Sequence, residues 1–163
     1  MKTLKEKLIE LNACEPAVEW AGDKTIEEIW ATCPRGHWML WLFSRTNPEE
    51  IKLLFLASGH CANTVRHKMK DNRSILAVDA AIAFGNGEIT KEELDKAAKG
   101  AYYNYSSAAA DSAAAYAAYD DTAFAASAAA AYAADSIDSA TAKIANQLLT
   151  ADICRKYLPV PTI

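Results

Sequence analysis

The stretch KAAKGAYYNYSSAAADSAAAYAAYDDTAFAASAAAAYAADSIDSATAKIAN, residues 96–146, decides the fold. Alanine has the highest helix propensity of all residues, and Gly100 is the only helix-breaking residue in the stretch. The region without proline extends over 90–149 and would be about 90 Å long as one helix, far beyond a domain of this size. It must therefore fold back, and residues 119–122 are the predicted hinge because an Asp there can cap a following helix. We predict helices over about 91–118, 121–134 and 137–149.

The first part of the chain supplies the bulky side chains of the core, since every tryptophan precedes residue 60. Helix starts are indicated there by a capping box at Thr25 and by Asn47-Pro48, and a second capping box at Thr90 opens the alanine-rich part. We expect the helix after Asn47 to continue to about Met69, and Thr150 to cap a short last helix over 151–157. No segment has a pairing partner as a strand. The sequence thus predicts one all-α domain over 1–163, a bundle of about seven to nine helices with a bulky-core half (1–89) and a close-packed Ala-rich half (90–163).

The charges are unevenly distributed. The net charge is −4, which argues against a nucleic-acid-binding domain. Residues 101–142 contain no Lys or Arg, so the second half should carry a negative field that could attract a basic protein partner. The alternative is that these acids only cap and solubilise alanine-rich helices, and both interpretations stay open. The candidate partner-binding residues of this acidic face are Asp111, Tyr116, Asp120, Asp121 and Tyr103.

Catalytic and metal-binding patterns are weak. Dinucleotide, P-loop and zinc-protease motifs are absent, and paired carboxylates lie at helix starts, where capping explains them. His60 and His67 are too far apart for a typical zinc pair. Cys33 and His37 could form a nucleophile pair across a turn, but no third group or oxyanion hole is evident. We expect no catalytic residue, no metal and no cofactor.

The cysteines and the start of the chain bear on location. The four cysteines are scattered without a CxxC pair, the first residues lack the apolar region of a signal peptide, and no apolar segment reaches the roughly 20 residues of a membrane span. We expect a reduced cytoplasmic protein with no membrane association.

Several motifs together resemble an all-helical family of immunity proteins encoded beside bacterial polymorphic toxins and in some mobile elements. They are Trp20, TIEEIW at 25–30, CPRGHWMLWL at 33–42, HCA at 60–62, GEITKEEL at 87–94 and ADICR at 151–155. The resemblance covers nearly the whole chain, and its most specific part is the CPRG-x-W block. This chain has His37 where the family usually has Asp.

The resemblance implies a non-catalytic binding protein that neutralises a toxin by occupying it. Arg35 and His37 in the CPRG-x-W block are then further candidate partner contacts, and a homodimer is also considered. The alternative function is a phage- or mobile-element-encoded inhibitor of a host defence system, such as an anti-CRISPR protein. A Cys-dependent enzyme is the third interpretation.

Overall fold

Ten α-helices and one 3₁₀ turn (Arg66–Lys68) make up the part of the chain that the computed structural model describes, residues 2–102, 109–119 and 123–163. The all-α prediction is confirmed, and the helix count exceeds the predicted seven to nine. The helices are α1 Leu4–Glu10, α2 Glu15–Ala21, α3 Ile26–Thr32, α4 Gly36–Thr46, α5 Ile51–Asn63, α6 Asn72–Gly85, α7 Lys91–Tyr102, α8 Ala109–Tyr119, α9 Ala123–Asp135 and α10 Ala140–Tyr157.

The alanine-rich region contains one more helix than predicted. The expected single helix over 91–118 is wrong, because α7 and α8 are separate helices that pack side by side. The predicted fold-back between α8 and α9 is confirmed, because the two helices pack against each other. The hinge residues 120–122, and with them the predicted Asp cap, lie outside the described residues.

Two other helix boundaries differ from prediction. Asn47 does not start α5, because its N–H donates to the carbonyl oxygen of Phe43 at 2.8 Å and so ends α4. Helix α5 begins at Ile51 and ends at Asn63, well before the predicted end at Met69. The predicted break at Thr150 is also wrong, because α10 is continuous through it. Thr150 lies in the interior of this helix, where its hydroxyl donates to the carbonyl oxygen of Gln147 at 2.9 Å.

Both capping boxes are confirmed. The N–H of Thr25 donates to Glu28 Oε2 at 2.8 Å, and the N–H of Glu28 donates to Thr25 Oγ1 at 3.2 Å. Thr90 and Glu93 make the same reciprocal pair at 2.8 and 3.3 Å. Each box satisfies two backbone donors that the first turn of a helix cannot pair, which is why the short sequence pattern located these starts correctly.

Small side chains and large side chains hold different parts of the fold together. Helix α8 packs against α5, α6, α7 and α9, and its interior positions are almost all alanine, which lets the helix axes approach closely. Helices α1 to α3 instead rest on α4 through large side chains, with Leu8, Val18, Ile29 and Leu42 in one buried cluster. In the residues described, no helix has both the length and the apolar character needed to cross a membrane.

Candidate functional site

A cavity of about 270 Å³ lies between α1, α2, α3 and α4 and opens to solvent on one side. Its lining includes all four tryptophans of the chain, Trp20, Trp30, Trp38 and Trp41. Trp30 is buried, whereas the other three are partly exposed. Concave, mostly apolar sites with a few polar groups are the usual form of ligand and partner pockets, so this cavity is the strongest candidate site in the described structure.

The rim on the α1 side is fixed by a left-handed turn. Asn12 has a φ of 63°, a conformation that Asn tolerates better than most residues. Its N–H donates to the carbonyl oxygen of Ile9, and the N–H of Ala13 donates to that of Leu8, both at 2.9 Å. This pair of bonds is a Schellman motif, and it turns the chain so that Ala13 and Cys14 line the rim.

The CPRG turn forms the opposite wall and depends on Gly36. A Cβ at Gly36 would lie 2.6 Å from the carbonyl carbon of Thr150, so only glycine lets the start of α4 approach α10 this closely. The buried thiol of Cys154 donates to the carbonyl oxygen of Gly36 at 3.6 Å. The glycine of the CPRG motif is therefore explained by helix packing.

The guanidinium of Arg155, in α10, contacts three residues of the cavity wall but is not itself part of the lining. Its Nη1 donates to the carbonyl oxygens of Trp30 and Cys33, both at 3.1 Å, and lies 3.8 Å from the sulfur of Met39. The opposite edge of the guanidinium donates to Asp152 Oδ1 at 2.9 and 3.3 Å. Sequence reasoning gave Arg155 no role, and its place in the ADICR motif was the only available signal, because these contacts join residues more than a hundred positions apart.

Two cations flank the tryptophan pair of the cavity. The rings of Trp20 and Trp38 lie with their centroids 6.0 Å apart. The Arg35 guanidinium lies 4.6 Å from the Trp38 centroid, and the Lys24 ammonium lies 4.7 Å from the Trp20 centroid. Both distances are within the range of cation–π attraction. His37 meets Trp38 edge-on, with centroids 5.8 Å apart, so the structure brings Arg35 and His37 together at this site as neighbours of one ring.

The two titratable side chains considered as a nucleophile pair are both uncharged at neutral pH. Burial raises the pKa of the Cys33 thiol to about 11, and burial together with the nearby Arg35 charge lowers the pKa of His37 to about 4. The Cys33 thiol donates to the carbonyl oxygen of Arg35 at 3.5 Å. Since the thiolate is the reactive form of cysteine, this environment opposes nucleophilic chemistry at Cys33.

The acidic face predicted on the alanine-rich half does not include Asp111 as an exposed group. Asp111 is 4% exposed, and its Oδ1 accepts from the N–H of Asp71 at 3.4 Å. Tyr116 is half-buried, and its ring stacks on Tyr132 with centroids 5.4 Å apart. The reason is the alanine content of α8, which lets neighbouring helices enclose the few larger side chains as well. Tyr103, Asp120 and Asp121 lie outside the described residues.

The candidate metal residues have other neighbours. His60 stacks on Tyr157 with centroids 4.5 Å apart, and burial followed by the charge of Lys156 lowers its pKa. His67 belongs to the 3₁₀ turn. In residues 2–102, 109–119 and 123–163 no group of three or more His, Cys, Asp or Glu side chains is placed to hold a metal ion.

Comparison with known proteins adds no assignment: no protein-family model, curated protein or solved structure matches this chain. The chemistry of the cavity is therefore the guide to function. Its walls are aromatic and uncharged, and its mouth carries Arg35 and Lys24 beside partly exposed tryptophans. Tryptophan and arginine are the residues that most often dominate binding energies at protein interfaces, so this arrangement is suited to recognition.

Proposed function

We propose that this chain is a non-catalytic binding protein that inhibits a protein partner, as an immunity protein neutralises a toxin. The observation that carries the proposal is the Trp20–Trp38 pair at the cavity mouth, flanked by Lys24 and Arg35. Interface hot spots combine large, rigid aromatic surfaces with arginine, and truncation of such residues commonly costs 2 kcal/mol or more.

The sequence resemblance and the geometry support the proposal at the same residues. The CPRG-x-W block is the most specific part of the resemblance to the immunity family. In the structure this block supplies Arg35, His37 and Trp38 to one site, together with Trp20 from another of the quoted motifs. The uncharged state of Cys33 and His37 supports binding over catalysis.

The proposal moves the expected contact surface away from the alanine-rich half. Asp111 is buried, so it offers no carboxylate to a partner. The charged groups that lie against the tryptophan pair are the half-buried cations Lys24 and Arg35, although the whole chain is acidic. The partner surface that fits this site is therefore acidic around an apolar centre.

Co-expression with the products of neighbouring genes tests the proposal. We expect one product to arrest growth, and the intact chain to bind it and restore growth. Arg35→Glu should weaken the complex at least about tenfold, because it places a negative charge opposite an acidic surface. Arg73→Glu is the matched control: it makes the same charge change on α6, which contributes no residue to the cavity lining and packs against α5, α7 and α8.

Two results would contradict the proposal. One is the absence of any bound or neutralised protein among the neighbouring products. The other is equal binding by the Arg35→Glu and Arg73→Glu variants, with thermal unfolding showing that both are folded. Capture of a host defence component in place of a toxin would favour the anti-defence alternative, with the same surface in use.

A further inference from the structure

The tryptophan cavity is uncharged along its whole described lining. Its residues come from α1 to α4, and none of them is Asp, Glu, Lys or Arg. Besides the indole N–H groups of the tryptophans, the polar side chains present are Asn12, His37 and the thiols of Cys14 and Cys33. Lys24 and Arg35 lie over the tryptophan rings but are not part of the lining. A charged ligand would thus lose its hydration here without gaining an opposite charge inside the cavity.

The size of the cavity limits its occupant. A protein cavity of about 150 Å³ lined by apolar side chains holds benzene. The cavity here has about 270 Å³, which leaves space for two fused rings and little more. Indole rings form much of the wall, and flat aromatic molecules gain offset-stacked and edge-to-face contacts with such rings.

We propose that this cavity is a binding site for a small, flat, uncharged aromatic molecule of about the size of indole. Trp20 and Trp38 line this cavity and also belong to the proposed protein-binding surface, but the inference does not depend on the partner being a toxin. Asn12 and His37 are the lining groups that can pair with a single ring N–H or hydroxyl, since neutral imidazole offers one acceptor and one donor.

The walls of the cavity are held in place without a ligand, as expected for a preformed site. The Schellman motif at Asn12 fixes one rim through two backbone hydrogen bonds. Arg155 fixes the opposite wall through the carbonyl oxygens of Trp30 and Cys33. Binding of a ligand then costs little conformational entropy of the protein, and such preorganisation favours affinity for a small molecule.

Fluorine NMR of 5-fluoroindole mixed with the full chain tests the proposal. We expect binding with a Kd below about 1 mM, a value within reach of a ligand this small. In ¹⁵N-labelled protein the tryptophan Nε1–H signals all report on the cavity, because each tryptophan of the chain lines it. These signals should shift during the titration. An unchanged fluorine spectrum with unchanged indole signals would overturn the proposal.

Variants and a charged analogue locate the site and define its chemistry. Ala17→Phe places a ring from α2 into the cavity and should weaken binding at least about tenfold. Ala145→Phe adds the same ring on the exposed side of α10 and should leave binding unchanged. If Ala17→Phe does not fold, Ala13→Phe fills the same space from the rim. Unaltered binding in a folded cavity-filling variant would overturn the location, and equal or tighter binding of 5-fluoroindole-2-carboxylate would overturn the uncharged class.

Discussion

Gly36→Ala tests whether the CPRG glycine is needed for the approach of α4 to α10. The added Cβ would lie 2.6 Å from the carbonyl carbon of Thr150, 2.6 Å from its Oγ1 and 2.7 Å from its Cβ. Carbon atoms in contact prefer about 3.5–4.0 Å, so the two helices would have to separate by about 1 Å. The carbonyl carbon of Thr150 is part of the backbone of the continuous helix α10, so it cannot rotate away as a side chain would. Overpacking of this kind costs about 1–3 kcal/mol, and we expect the upper part of that range.

The measurement is the free energy of unfolding from urea titration, with thermal melting as a second readout. A loss of about 2–3 kcal/mol corresponds to a Tm lower by roughly 4–12 °C for a chain of this length. Gly100→Ala is the matched control: Gly100 belongs to α7, and in the described part of the chain no atom beyond its chain neighbours and its own helix backbone lies within 4 Å of its added Cβ. There the higher helix propensity of alanine should raise stability by about 0.5–1 kcal/mol. The two Gly→Ala changes should therefore have opposite signs.

A double variant shows which atom of Thr150 is the obstacle. Thr150→Ala removes Oγ1 but leaves the carbonyl carbon and Cβ in place, so combining it with Gly36→Ala should recover little stability. Full recovery would refute the backbone argument and assign the clash to the hydroxyl alone. A stabilising Gly36→Ala would refute the close approach itself.

Three further predictions follow from the site. The pKa of His37 is about 4 in the folded chain and 6.5 when exposed, so the unfolded chain gains a proton first as pH falls. The free energy of unfolding should therefore drop by about 2–3 kcal/mol between pH 6.5 and 4. Urea titration should show a smaller drop in the His37→Gln variant. Arg155→Met should lower the free energy of unfolding by about 2–3 kcal/mol, because two carbonyl oxygens lose a charged donor. Asp152→Asn alters only a largely exposed ion pair and should lower it by less than about 1 kcal/mol. At neutral pH a thiol reagent should label exposed Cys14 at least about tenfold faster than Cys33, whose pKa is raised to about 11.

Each of these has a result that would count against it. Equal acid sensitivity of the parent chain and His37→Gln would place the titrating group elsewhere. Equal losses in the Arg155 and Asp152 variants would mean that the ion pair matters more than the carbonyl contacts. Rapid labelling of Cys33 in the folded chain would reopen the nucleophile hypothesis.

Local signals in the sequence predicted local structure. The capping boxes at Thr25 and Thr90 were located correctly because both partners of each hydrogen bond lie within four residues. Asn47 and Thr150 carry side chains that can cap a helix. In the structure the backbone N–H of Asn47 instead ends α4, and Thr150 lies inside α10, where its hydroxyl donates to the carbonyl oxygen of Gln147. The separation of α7 from α8 had no proline and only Gly100 to indicate it.

The candidate site was only partly predictable, because some of its contacts join residues that are distant in sequence. Arg35 and His37 were selected from the CPRG-x-W block and lie at the cavity, close to one another in sequence and in space. Asp111 was expected to be exposed because it is charged, yet packing by small alanines encloses it. Arg155 could not be assigned from pattern, since its partners Trp30 and Cys33 are set by the fold of the whole chain.

The contact of Arg155 with the CPRG wall has a consequence for the order in which the cavity forms during synthesis. Helices α1 to α4 leave the ribosome first, and at that time the carbonyl oxygens of Trp30 and Cys33 have no guanidinium to pair with and Gly36 has no helix beside it. The wall is completed once α10 has emerged, although α10 contributes no residue to the described lining. Incomplete chains that stop before α10 should therefore carry the CPRG wall of the cavity without the contacts that hold it in the folded chain.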